Sequence, residues 1–234
     1  MANNYYDATG VLILDRVTPV ITALFGGFKL DANYPGNGQA YIARIAEDSN
    51  PSWEGVLDGL TVLAAQLDLP APGMEDDDDD DELSIQAVLG LLAAHFGADR
   101  NEELANLIEH HGFEDDAELE ALFLIASCFN DGHNLVAVQF EGCWHCSKPR
   151  LFEFGGNGWY LSREVHIVGS SSQSLHLGDQ LRKAILANDV EEASALIALE
   201  AGSLLAGVSD EDFRMCLRRR VAERLALMPT TSVT

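Results

Sequence analysis

The chain has 234 residues, 47% of them hydrophobic, with 38 acidic against 14 basic residues and a formal net charge of −24. That apolar content excludes global disorder, which needs low hydrophobicity together with high charge, and the length allows one large domain or two small ones with a true core. The charge disfavours direct contact with nucleic acid or an anionic membrane and favours basic protein partners.

Residues 1–47 read as mixed structure. Residues 11–14 predict a short buried strand, and residues 18–25 a strand or a brief helix. Gly26-Gly27 and the run Tyr34-Pro35-Gly36-Asn37-Gly38 are turn chemistry, because Gly and Asn tolerate positive φ. Residues 28–30 and 39–45 predict two strands of a sheet. Asn50 followed by Pro51 predicts a helix start, since Pro suits the first helical position. Val56, Leu57, Leu60, Leu63, Ala64 and Leu67 then recur at helical spacing. Pro70 and Pro72 end that helix, and eight contiguous acids at 75–82 repel one another, which predicts a solvated linker.

Three shorter helices follow in this reading. Ser84 caps the first, with Ile85, Val88, Leu89, Leu92 and Phe96 on its inner face. Asn101 caps the second, and Asp115 with Glu118 forms a capping box for the third. The period then changes to two: Val136, Val138 and Phe140 share one face, and Phe152 and Phe154 repeat the alternation. Gly155-Gly156-Asn157-Gly158 reads as a hairpin turn before strands at 159–161 and 165–168. From Ser170 onward the pattern is helical, with capping boxes at Asp189/Glu192 and Ser209/Asp212. This order predicts an α+β protein: an N-terminal α+β part over 1–74, the acidic linker 75–82, and a part over 83–234 that combines helices, a β-meander (134–169) and C-terminal helices.

The longest apolar runs fall well short of a membrane span of ~20 residues. The N-terminal residues show no basic region leading into an apolar stretch, and four cysteines do not make a disulfide framework. The expected location is the cytoplasm, with no membrane partner.

Cys143-Trp144-His145-Cys146 is the one motif with metal-ligand spacing. Two thiolates two residues apart can grip a Zn²⁺ from a tight turn, and Cys128 with His133 upstream would complete a set of three cysteines and one histidine. His145 and the pair His110-His111 are substitutes. A structural Zn²⁺ is therefore the one cofactor the sequence suggests, against the plainer reading of reduced, partly buried cysteines. No Walker A, GxSxG, HExxH, EF-hand or GxGxxG pattern is present, and the chain is expected not to be an enzyme.

Five arginines (Arg214, Arg218, Arg219, Arg220 and Arg224) ring the polar side of a helix whose Leu217, Val221 and Leu225 point to a core. They read either as cations complementing the helix dipole and pairing with the acidic body, or as a nucleic-acid contact.

The charge itself is polarised. The first 142 residues carry 27 acids against four basic residues, and the remaining 92 carry 11 against ten. Beyond the tract 75–82, the densest acids are Glu102, Glu103, Glu109, Glu114, Asp115, Asp116, Glu118 and Glu120, on and beside two consecutive helices. Held there, they present spaced negative charge as a phosphate backbone does. In its acid-dense segment 99–120, its tract 75–82 and its lack of catalytic motifs, the chain resembles acidic anti-defence proteins of mobile elements, the anti-CRISPR and antirestriction inhibitors. Residues 140–163 are also similar to accessory proteins of such elements. The resemblance implies a binding protein that occludes or displaces nucleic acid from a basic, nucleic-acid-binding protein or ribonucleoprotein complex. Its partner-binding residues would be the eight acids, with Arg214, Arg218 and Arg219 on the other side. The alternative is a zinc-stabilised module of a mobile element whose arginine helix touches nucleic acid.

Overall fold

The computed structural model describes residues 3–49, 51–70, 84–148, 150–151 and 153–227, and the chain divides into two units, 1–161 and 162–234. Six strands and eight α-helices are present among these residues, and every strand pairing with a described register is antiparallel, so the class is α+β as expected.

The first unit is organised on β1 (Asn4–Ile13). It pairs along its whole length with β4 (Ala137–Cys146) and, over its second half, with β3 (Gln39–Arg44). Strand β2 (Asp31–Pro35) lies outside β3, and β5 (Phe154–Ser162) lies outside β4. Strand side chains alternate between faces, so Ala8 and Leu12 share one face with Ala40, Ile42, Val138 and Phe140. All six are buried.

Helices α1 (Pro19–Phe25), α2 (Trp53–Gln66), α3 (Ile85–Phe96), α4 (Glu102–His110) and α5 (Leu119–Cys128) build the rest of that core. Local chemistry sets where several of them start. Ser84 Oγ accepts from the Ala87 N–H at 3.2 Å, and Asn101 Oδ1 from the Leu104 N–H at 2.9 Å, as expected of these caps. Helix α1 occupies residues left open between strand and helix, with Pro19 in its first turn. Helices α1 and α2 approach closely, because a Cβ at Gly59 would lie 2.5 Å from the Ala23 carbonyl oxygen.

Several expectations are corrected. Helix α2 starts after Ser52, whose Oγ accepts from the Gly55 N–H at 3.3 Å; Asn50 is outside the described residues. Residues 28–30 are not a strand: Phe28 closes a short 3₁₀ turn (Gly26–Phe28) and Lys29 has φ 48°. Asp115 does not cap α5; it has φ 59°, and the cap position falls to Glu118, whose side chain makes no capping bond. Val136 is 56% exposed, ahead of the strand that buries Val138 and Phe140. The glycines 155, 156 and 158 lie inside β5 rather than in a turn. A Cβ at Gly155 would meet Trp144 Cζ2 at 2.2 Å, so the strand needs glycine to pass that ring.

The tract 75–82 and Phe152 lie outside the described residues. The division between units does not fall at that tract but at 161/162. The physical reason is pairing across it: β1 bonds to β4, and α2 packs on α3, so both flanks share one core.

The second unit holds β6 (His166–Ser170), α6 (Ser171–Leu186), α7 (Val190–Ala206) and α8 (Glu211–Leu227). Ser170 caps α6 and Asp189 caps α7, accepting from Gln173 N–H at 3.3 Å and Glu192 N–H at 2.9 Å. For α8 the cap is Asp210, bonded to the Phe213 N–H at 2.7 Å, one residue beyond the expected Ser209. The link between α7 and α8 is tied to β6 by the His166 N–H, which donates to the Gly207 oxygen at 2.8 Å. Among the described residues of this unit only Ser162 and Ala184 are buried. No described helix in either unit is long and apolar enough to cross a membrane.

Candidate binding site at the loop between α4 and α5

The core-facing stripe of β1 runs on past Ala8 to Tyr6. There the register sets Tyr6 opposite Trp144 on β4, while Ala8 stands opposite Arg44 on β3. Tyr6 Oη donates to Asn157 Oδ1 on β5 at 2.9 Å. The Arg44 guanidinium lies 5.5 Å from the Tyr6 ring centroid and pairs with Asp116. Burial pushes the Tyr6 phenol above its ordinary pKa, outweighing the opposing influences of the Asn157 hydrogen bond and of Arg44.

The loop from α4 to α5 closes this end of the sheet, and main-chain bonds to the start of α2 hold it. The Trp53 N–H donates to the Asp115 oxygen at 3.1 Å, and the Ala117 N–H to the Pro51 oxygen at 2.8 Å. Side chains add a second tie. Glu118 Oε2 accepts from Trp53 Nε1 at 2.8 Å and stands 3.4 Å from His111 Nε2. His111 Nδ1 accepts from the Phe113 N–H at 2.9 Å, so the ring proton sits on Nε2 and points at Glu118. Trp53 meets His111 and Phe113 edge to face around this contact, and the His111 and Phe113 rings pack tilted against each other.

Between the loop and the sheet lies a cavity of about 340 Å³. Its floor is apolar, made by Phe28, Leu119, Phe140 and Trp159. Its polar rim comprises Tyr6, Asn157, Arg44, Asp116, Glu118 and Glu120. Three carboxylates and one guanidinium line the rim, so its formal charge balance is negative. Aromatic faces below and carboxylates at the mouth suit a cation carried on an apolar stem, as in an arginine or lysine side chain.

Of the eight acids expected to bind a partner, the structure brings Asp116, Glu118 and Glu120 together at this cavity. Glu102 and Glu103 lie in the first turn of α4 and Glu109 near its end, all exposed. Glu114 and Asp115 are exposed in the loop itself. Arg218 and Arg219 are exposed on α8. Arg214 is half-buried and donates to the Val208 oxygen at 2.8 Å, which makes it a local tie. Arg220 pairs with Glu223 at 2.8 Å. The core face expected for α8 has no buried residue: Leu217 and Val221 are half-buried, and Leu225 is 57% exposed.

The structure does not assemble the expected metal set. Cys143 and Cys146 lie in β4 rather than in a turn; odd and even strand positions face opposite ways, so the two thiols point to opposite faces of the sheet. Cys143 is exposed and Cys146 buried. His133 is 1% exposed, with Nδ1 accepting from the Leu135 N–H at 2.8 Å and Nε2 donating to the Ala126 oxygen at 3.1 Å. Both ring nitrogens are thus held by backbone, and Cys128 sits at the end of α5. Among the described residues no group of three or more His, Cys, Asp or Glu side chains is placed to hold a metal.

Tyr6, Arg44, Asn157 and Trp159 are not singled out by the sequence. Tyr6 continues the alternation through Ala8 and Leu12, a signal present in a strand that reads as shorter than it is. Arg44 and Asn157 carry no local signal, because register alone puts them beside Tyr6. Searches with family models, curated proteins and solved structures found no match to this chain.

Proposed function

We propose that this chain is a non-enzymatic acidic binding protein that occupies the nucleic-acid-binding surface of a basic partner. Its most concrete form is an anti-defence inhibitor of the anti-CRISPR or antirestriction kind. The supporting observation is the cavity at the loop between α4 and α5, where Glu118 and Glu120 stand over an aromatic floor. That cavity belongs to a unit with 28 acids against six basic residues.

A surface that grips phosphates is rich in arginine and lysine. The acidic unit attracts it over distance and speeds encounter. The cavity then takes one arginine or lysine side chain, with its stem against Phe28, Phe140 and Trp159 and its charge at Glu118 and Glu120. Nucleic acid is excluded because the groups that would hold it are engaged.

The test is capture of a partner from the native host after nuclease treatment. The expected complex survives the nuclease, dissociates as salt rises, and is lost when Glu102, Glu103, Asp115, Asp116, Glu118 and Glu120 are neutralised together. Capture that is unchanged by that neutralisation sinks the proposal.

A further inference from the structure

The second unit has three helices and almost no core of its own: Ser162 and Ala184 are its buried residues among those described. Helix α7 shows the deficit most clearly. Val190, Ile197 and Leu204 recur at steps of seven, so they form one seam along the helix. They are 76%, 56% and 59% exposed. Beside this seam a groove of about 830 Å³ runs between α7 and α8. Its α7 wall carries the small residues Ala198, Ala201, Gly202 and Ala206, which let another helix come close, together with the apolar Leu205. A small helical unit that leaves such a seam in water lacks the burial that offsets its conformational entropy.

We infer that this face is covered by the α7 and α8 of a second copy of the chain, so that the second unit is a dimerisation unit. Charge argues for that occupant. The first unit, at 28 acids against six basic residues, repels its own copy, whereas the second holds ten acids against eight basic residues and allows approach. Helix α8 is also polarised along its length. Asp210, Glu211 and Asp212 stand at its start, ahead of Arg214, and Arg218, Arg219, Arg220 and Arg224 outnumber the one acid, Glu223, in the rest of the helix. In a two-fold pair running antiparallel, the acids of each copy meet the arginines of the other. A basic, nucleic-acid-binding protein meets those same arginines with repulsion and is the poorer fit. An apolar seam carried by every chain is best covered by a partner present whenever the chain is made, and its own copy meets that need.

The experiment is sedimentation equilibrium of the full chain, with thermal unfolding over a dilution series. The expected mass is twice 25.4 kDa, and the unfolding midpoint rises with protein concentration. Replacing Ile197→Glu and Leu204→Glu together is expected to return the mass to that of one chain. Val62→Glu, at an exposed apolar position of the first unit, is expected to leave the dimer intact. A single-chain mass at every concentration overturns the inference, as does an unfolding midpoint independent of concentration in the unmodified chain. A dimer that persists in the double variant overturns the assignment to this face. None of these readouts involves the acidic cavity, so failure here and failure of the proposed function are separate results.

Discussion

The indole N–H of Trp53 donates to Glu118 Oε2 at 2.8 Å, joining the first residue of α2 to the residue that precedes α5. One carboxylate therefore has two duties: it stands at the mouth of the cavity and satisfies the donor of a side chain that is 2% exposed. Glu118→Ala leaves that buried donor without its partner and is expected to cost ~1–3 kcal/mol of stability. Glu118→Gln keeps an acceptor oxygen and is expected to cost less. Denaturant unfolding of the two variants, followed by tryptophan fluorescence, measures the difference; equal losses would show that the bond does not carry the effect.

Arg44 competes with any incoming cation for Asp116. The pair is partly exposed, with side-chain exposures of 33% and 49%, and pairs of that kind contribute ~0–1 kcal/mol to stability. Arg44→Gln is therefore expected to unfold almost as the parent does and to bind an arginine-rich peptide more tightly. Glu118→Gln with Glu120→Gln is expected to weaken the same peptide. Titration calorimetry at low salt reads both, and weaker binding by Arg44→Gln would contradict the charge assignment.

Gly59 faces the Ala23 backbone so closely that an added Cβ would lie 2.5 Å from a carbonyl oxygen. In an exposed helix interior Gly→Ala stabilises by ~1 kcal/mol. Here overpacking reverses the sign, and Gly59→Ala is expected to lose ~1–3 kcal/mol. Gly90, with nothing within 4 Å of its own Cβ position, is the control in which Gly→Ala stabilises. The unfolding midpoints of the two variants are expected to move in opposite directions.

His133 is held as a hydrogen-bonded core residue, with one ring nitrogen donating and the other accepting. His133→Ala removes both bonds and opens a cavity, and is expected to cost at least ~2 kcal/mol. Because the ring nitrogens are occupied, adding a chelator to the parent protein is expected to leave its unfolding midpoint unchanged. A midpoint that falls with the chelator and recovers with Zn²⁺ in the parent but not in His133→Ala would make His133 a metal ligand after all.

Tyr6 retains its proton to higher pH than an ordinary tyrosine because it is partly buried. A group whose pKa is raised on folding adds stability that is fully present below its unfolded value of 10.0 and is lost as pH climbs through the folded value. Tyrosinate absorbance is expected to show a late-titrating step, and Tyr6→Phe is expected to remove it. A parent and variant that lose stability identically above pH 10.0 would refute the assignment.

Features set by neighbours along the chain are legible in the amino-acid sequence. Ser84, Asn101, Ser170 and Asp189 cap the helices that follow them, as their residue types predict, because a cap needs only an oxygen two or three residues ahead of an unpaired N–H. The α+β class follows from the change of hydrophobic period along the chain. Asp115 and Ser209 show the limit of that logic: each is a good cap by type, yet the chain enters its helix elsewhere, at Glu118 and Asp210.

The misread features depend on residues far away in sequence. Gly155 is a strand residue because Trp144 occupies the space of its side chain, and no neighbour in sequence carries that information. The cysteines at 143 and 146 sit in an extended strand since β1 pairs with them, and pairing turns their thiols apart. The same pairing joins the flanks of the acidic tract into one core and moves the unit boundary to 161/162. The acidity, its polarity along the chain and the local starts of most helices are written in the residues themselves, because composition and capping act over a few bonds. The meeting of Asp116, Glu118 and Glu120 with Tyr6, Arg44 and Trp159 around one cavity is a product of tertiary folding. Strand register and loop closure draw those groups from three strands, a loop and the first turn of α5, and such contacts leave no periodic trace in the chain.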